Sequence, residues 1–203
     1  MIILGVDPGT LFTGFAVISG VNEKLKLLKA DIIKNPAKNS LPIRLKKIYD
    51  GLVDVIELYK PDEFAIETAF YGKNVQSTFK LGHARGVSIL AAVNKQIPTT
   101  EYSPREVKKS VSGLGAASKE QVRFMVCSTL SIKESTLSKK TDISDAIAVA
   151  LCHHNRMLAM IDKKKSGLNS QITKKTKKYK TSSGAWTDFV KENPGRVLSE
   201  RQN

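Results

Sequence analysis

Residues 1–19 read MIILGVDPGTLFTGFAVIS, and this stretch decides how the rest of the chain is parsed. Met1 to Val6 is an unbroken apolar run, the pattern of a strand covered on both faces. It stops at Asp7-Pro8-Gly9-Thr10, a turn, after which Thr13 to Ser19 predicts a second strand. Working outward, a polar turn over residues 20–24 leads to a third strand at Leu25–Lys34, giving an antiparallel meander. Leu41, Leu45, Ile48, Leu52, Val55, Ile56 and Tyr59 then recur at helical spacing up to Lys60-Pro61. A crossover helix of that length returns the chain to the first strand, so the short apolar run Glu63–Glu67 (EFAIE) is expected parallel to it. A polar loop near Tyr71–Asn74 follows, then a long helix over about Ser77–Gln96 and a short strand at Thr99–Tyr102. Helices are expected at Pro104–Val111, Ser118–Leu130 and about Asp142–Met157. The order predicts an α/β domain over residues 1–158 with a mixed five-stranded sheet and helices on both faces.

Charge places the partner. The chain of 203 residues carries a formal net charge of +14, which calls for a polyanion, with nucleic acid ahead of an acidic membrane surface. Residues 162–203 hold 11 of the 33 Lys and Arg but only 4 of the 19 acids, so half of the excess lies in the last fifth of the chain. Rich in Lys, Ser and Thr, residues 159–203 read as a basic, flexible C-terminal tail that cannot offset its own ordering entropy. No apolar run is long enough to span a membrane. The opening MIILGVD has none of the marks of a secretory signal, which points to a cytoplasmic protein. Cys127 and Cys152 sit in apolar, helical surroundings and read as reduced core thiols. His153 and His154 beside Cys152 read as helix packing, because neighbours on a helix point about 100° apart.

Both central apolar runs end in a carboxylate, Asp7 and Glu67, and the carboxyl ends of central strands are where α/β sheets gather reactive groups. Asp142 and Asp145, three apart at a helix start, share one helical face. Taken singly, Asp7 reads as a turn former, Glu67 as a surface residue and Asp142 as an N-cap. Taken together on a basic chain, four carboxylates gain nothing at a phosphate-binding surface unless cations sit between them. Hard oxygen ligands of this kind suit magnesium or manganese, and two such ions roughly 4 Å apart are a device for in-line phosphodiester displacement. Residues 73–123 hold nine Lys and Arg against three acids, which makes this region the expected DNA face of the folded part. Within it Lys73, Asn74, Lys80, Arg85, Arg105 and Lys109 are candidate DNA contacts, and Phe70 and Tyr71 are candidate stacking platforms for an unpaired base. Lys108 and Lys119, taken by themselves, read either as two of many solvated lysines or as cations able to steady phosphate charge. Gly82 and Gly86, four apart on the long helix, permit close approach, read from sequence as approach to the protein's own sheet.

The segments GVDPGTLFTGFAVI, FAIETAFYGKNVQSTFKLGHARGVSILAA, EYSPREVKKSVSGLGAASKEQVRFMV and TDISDAIAVALCHH together resemble the RuvC-type Holliday junction resolvases of the ribonuclease H-like fold. The resemblance spans residues 1 to about 157. It implies that Asp7, Glu67, Asp142 and Asp145 form a catalytic tetrad holding two Mg2+ per subunit, with Mn2+ an acceptable substitute. It further implies a homodimer built on the long helix, paired symmetric nicks in four-way junction DNA, and work alongside a junction-binding and branch-migration helicase complex of the RuvA and RuvB type. Lys108 and Lys119 are also picked out by it. In some members His stands where this chain has Asp142. The basic tail departs from the family pattern, and no role carries over to it. Three other readings stay open at this level: a same-fold nuclease acting on hybrids or flaps, an actin-like phosphotransferase suggested by Asp7-x-Gly9-Thr10, and a DNA-binding module without activity.

Overall fold

The computed structural model describes residues 1–21, 24–68, 75–137 and 141–165. The chain divides into two units, Met1–Asp162 and Lys163–Asn203, and the sheet with its packed helices belongs to the first. Of the expected tail, residues 159–203, the first seven continue the last helix to Lys165, and those from 166 on lie outside the described residues.

Five strands form one sheet in the order β3-β2-β1-β4-β5. They are β1 (Ile2–Asp7), β2 (Phe12–Val21), β3 (Lys24–Lys34), β4 (Glu63–Glu67) and β5 (Thr99–Tyr102). The meander is as expected: β2 runs antiparallel to both β1 and β3. The crossover is as expected too, with β4 parallel to β1 and β5 parallel to β4. The connecting helix α1 (Leu41–Tyr59) buries Ile48, Leu52 and Ile56, three of the residues whose spacing announced it.

The pleat sorts side chains into two layers. Leu4, Val6, Phe15, Val17, Phe64 and Ile66 pack with α1 and α2 (Val75–Asn94) on one face. Ile3, Ala16, Ile18 and Ala65 face the other way, into a core completed by α3 (Pro104–Ser112), α4 (Lys119–Leu130) and α5 (Thr141–Lys165). Both α3 and α4 start with a reciprocal capping box, Ser103 with Glu106 and Ser118 with Gln121. Each box satisfies two orphan donors and so fixes where its helix begins. α5 is the central helix, buried continuously from Ala146 to His154. It runs eight residues beyond the expected end at Met157, since Leu158 to Lys165 contains good helix formers and no breaker. Among the described residues no helix is long and apolar enough to cross a membrane.

Candidate active site

Asp7 and Glu67 are the last residues of β1 and β4, and the register that pairs Val6 with Ile66 sets them side by side. By strand alternation both point to the face that carries α3, α4 and α5. Burial and like charge then act together. The Asp7 carboxyl is pushed up to about 8, first by desolvation and then by the charges of Glu67, Asp145 and Asp142. Glu67 is pushed up to about 7 by desolvation and by Asp145, while Lys119, Lys108 and a hydrogen bond with Asp7 pull against the rise. In the metal-free cluster burial and like charge thus hold both carboxyls above the ordinary carboxylate range.

The other two acids arrive on α5, and glycine lets them come close. A Cβ on Gly5 of β1 would lie 2.5 Å from the Ala146 carbonyl oxygen and 2.7 Å from the Ala150 Cβ. A Cβ on Gly14 of β2, the register partner of Asp7, would lie 2.1 Å from the Asp142 carbonyl oxygen. The first turns of α5 therefore rest on bare backbone, which draws Asp142 and Asp145 up to Asp7. Asp142 lies inside the first turn of a helix that begins at Thr141, so the N-cap reading of that residue does not hold. Desolvation raises the Asp145 carboxyl as well, and Lys119 opposes the rise from 3.5 Å, Nζ to Oδ2.

Three acids, Asp7, Glu67 and Asp145, share a cleft of about 280 Å³ with Lys108 and Lys119. Its walls are apolar: Pro104, Val107, Val122 and Ala148. Asp142 sits just outside, beside Gly14, and acts on Asp7 and Asp145 through its charge. Among the described residues no three acids, histidines or cysteines are drawn tightly enough to enclose an ion. The donor set fits hard divalent cations: oxygen ligands only, partly dehydrated, holding protons where positive charge is wanted.

Of the other candidates, Lys80, Arg105 and Lys109 are exposed. Arg85 forms an ion pair with Glu101 of β5. Lys109 follows Lys108 but belongs to the opposite flank of α3, in a second cleft. Phe70, Tyr71, Lys73 and Asn74 lie outside the described residues. Gly82 and Gly86 do not meet the sheet as sequence reading expects: a Cβ on either has nothing within 4 Å. Ala84, Ser88, Ala91 and Ala92 form the inward face of α2 instead. His153 and His154 are buried packing residues, His153 Nδ1 lying 2.9 Å from the Tyr102 hydroxyl. Burial holds His153 down at about 4, so it is neutral and its ring is a structural partner of β5.

The sheet order and its helices are those of the ribonuclease H-like fold. The family model for the crossover junction endodeoxyribonuclease RuvC matches residues 3–153. A Salinibacter ruber relative of that name is 45% identical over 197 residues, covering 97% of this chain and 99% of its own. The Thermus thermophilus RuvC structure superposes with a TM-score of 0.72 at 28% identity, over 79% of this chain and 97% of the other. The same T. thermophilus protein in complex with Holliday junction substrate gives 0.71 at 26% identity, over 78% and 96%. The chain belongs to the RuvC crossover junction endodeoxyribonuclease family.

Proposed function

We propose that this chain resolves four-way DNA junctions in recombination and repair, as a magnesium-dependent endonuclease that nicks two opposed strands symmetrically. The observation that carries this is the convergence of Asp7, Glu67 and Asp145 with two lysines in one apolar-walled cleft, on a chain of net charge +14. Asp7, Glu67, Asp145 and, from the rim, Asp142 would hold two ions. Bound there, the ions supply an activated water and stabilise the leaving oxygen of an in-line displacement. A water oxygen bonds to phosphorus, the bond to the 3′ oxygen breaks, and the products are a 5′ phosphate and a 3′ hydroxyl, ends a ligase can rejoin. Lys119 and Lys108 supply positive charge beside the pentavalent phosphate, where negative charge builds up in the transition state. The apolar walls desolvate the carboxylates in part, which is what raises Asp7, Glu67 and Asp145.

Paired nicks need two such clefts, and α2 offers the means. Val75, Phe79, Leu90 and Val93 are 64%, 67%, 50% and 53% exposed, and with the open Gly82 and Gly86 they recur at steps of three or four residues. That is the seam of a helix meeting a second copy, close at the glycines and apolar at both ends. Junction DNA and a second copy of the chain are thus the primary partners. A branch-migration complex of the RuvA and RuvB type would present the junction.

The test is a cleavage panel with magnesium: four-way junction, RNA–DNA hybrid, flap and plain duplex of matched sequence. Paired nicks in the junction with little cutting of the others are expected. Equal cutting of plain duplex would remove resolution as the function, and hybrid preference would favour the same-fold alternative.

A further inference from the structure

Between α3 and α5, on the side of α3 away from the acids, lies a second cleft of about 570 Å³. Lys109 and Ser110 reach it from α3 and Asn155 and Arg156 from α5, with Tyr102 at its wall. We propose that this cleft binds a backbone phosphate of the DNA several nucleotides from the cut. The inference rests on the junction-endonuclease reading and adds a contact that fixes the DNA arm.

The chemistry is that of a phosphate site. The Arg156 guanidinium carbon lies 5.7 Å from the centroid of the Tyr102 ring. Tyr102 is itself held by His153, whose Nε2 lies 3.5 Å from Glu63. Arg156 is therefore oriented before any ligand arrives, which lowers the entropy lost on binding. Asn155 Nδ2 donates to both the carbonyl and the hydroxyl oxygen of Ser110, at 3.3 Å each, which ties the two sides of the cleft together. Among the described residues neither Lys109 nor Arg156 has a carboxylate in salt-bridge contact. The acid of the cleft, Glu106, is committed elsewhere: its Oε2 accepts from the Ser103 amide at 2.8 Å and from the Ser103 hydroxyl at 2.6 Å. Two cations, a hydroxyl and an amide thus face the cleft against a single carboxylate, Glu106, whose charge acts on Arg156 while Ser103 holds its Oε2.

Position points the same way. Asp145 and Arg156 are on one helix, eleven residues or about 16 Å apart at the helical rise. At about 3.4 Å per nucleotide of one strand, that distance corresponds to a phosphate roughly five nucleotides from the scissile one. A contact there sets the angle at which the strand enters the cleft, without touching the reacting atoms.

The experiment uses the full-length Asp7→Asn protein, which holds junctions uncut, with and without Arg156→Gln, Lys109→Gln or both. Junction binding is measured across salt concentrations, on junctions that carry a neutral methylphosphonate at single positions three to seven nucleotides from the cut. Each lost cation should reduce the slope of log affinity against log salt by about 0.9. One methylphosphonate position should weaken the parent several-fold and have little added effect on the Arg156→Gln protein, and Arg156→Lys should restore most of the slope. An unchanged slope, or a methylphosphonate effect equal in parent and variant at every position, would overturn the site. Loss of junction preference over duplex in the parent protein would instead count against the underlying function.

Discussion

Asp7 sits where the fold can least afford a bare charge, at the buried end of the central strand with three other acids around it. Its carboxyl at about 8 and that of Glu67 at about 7 lie above their ordinary values. A raised carboxyl means that the folded metal-free state keeps protons the unfolded chain has already released, so stability is highest at low pH and is lost as pH rises from about 4 to about 8. Divalent cations displace those protons, so their apparent affinity climbs over the upper part of the same window. Thermal melts from pH 6 to 8.5 should show the metal-free protein losing stability with pH and magnesium restoring more at pH 8.5 than at pH 6. Asp7→Asn should raise the metal-free melting temperature at pH 8 by roughly a few degrees. A pH-independent magnesium effect would contradict the electrostatic picture of the cluster.

At the scale of elements, the site depends on how closely α5 lies on β1 and β2. Strand ends, crossover and helix order are all written in short-range pattern, so Asp7 and Glu67 could be placed side by side from sequence through apolar runs and one crossover helix. What pattern does not carry is contact between distant segments. Nothing in the pattern singles out Gly5 and Gly14, and it is the packing of residues 142–150 on them that explains why they lack a side chain. The outward face of Gly82 and Gly86 was hidden for the same reason, because helical spacing alone does not say which face of α2 meets the sheet. Arg156 escaped notice because it lies past the apolar stripe and acquires its meaning from Tyr102, 54 positions earlier. Gly14→Ala is the sharpest check on this scale. The added methyl group would have to move the backbone at Asp142, costing about 1–3 kcal/mol of stability and, by shifting the acid, on the order of 10²-fold in cleavage. Chemical denaturation and junction-cleavage rates measure the two effects. Full activity in Gly14→Ala would show that the closeness of α5 is not needed.

For the whole molecule, one acidic cleft is set in a basic body, and α2 is the proposed means of doubling it. A charged residue in the seam should separate the copies: Gly82→Arg is expected to sediment as a monomer and to yield single, unpaired nicks at a much reduced rate. Paired nicking by a monomeric Gly82→Arg protein would rule out α2 as the seam. The claim on which everything else rests is that the acids of β1, β4 and α5 act together as one metal-binding catalytic centre. It is tested most directly by comparing wild type and Asp7→Asn on a labelled four-way junction, following cleavage in magnesium and binding in calcium. Cleavage is expected to fall by on the order of 10³-fold or more while binding persists or tightens, since a negative charge facing phosphate has been removed. Undiminished cleavage by Asp7→Asn, or loss of binding in step with loss of cutting, would contradict it.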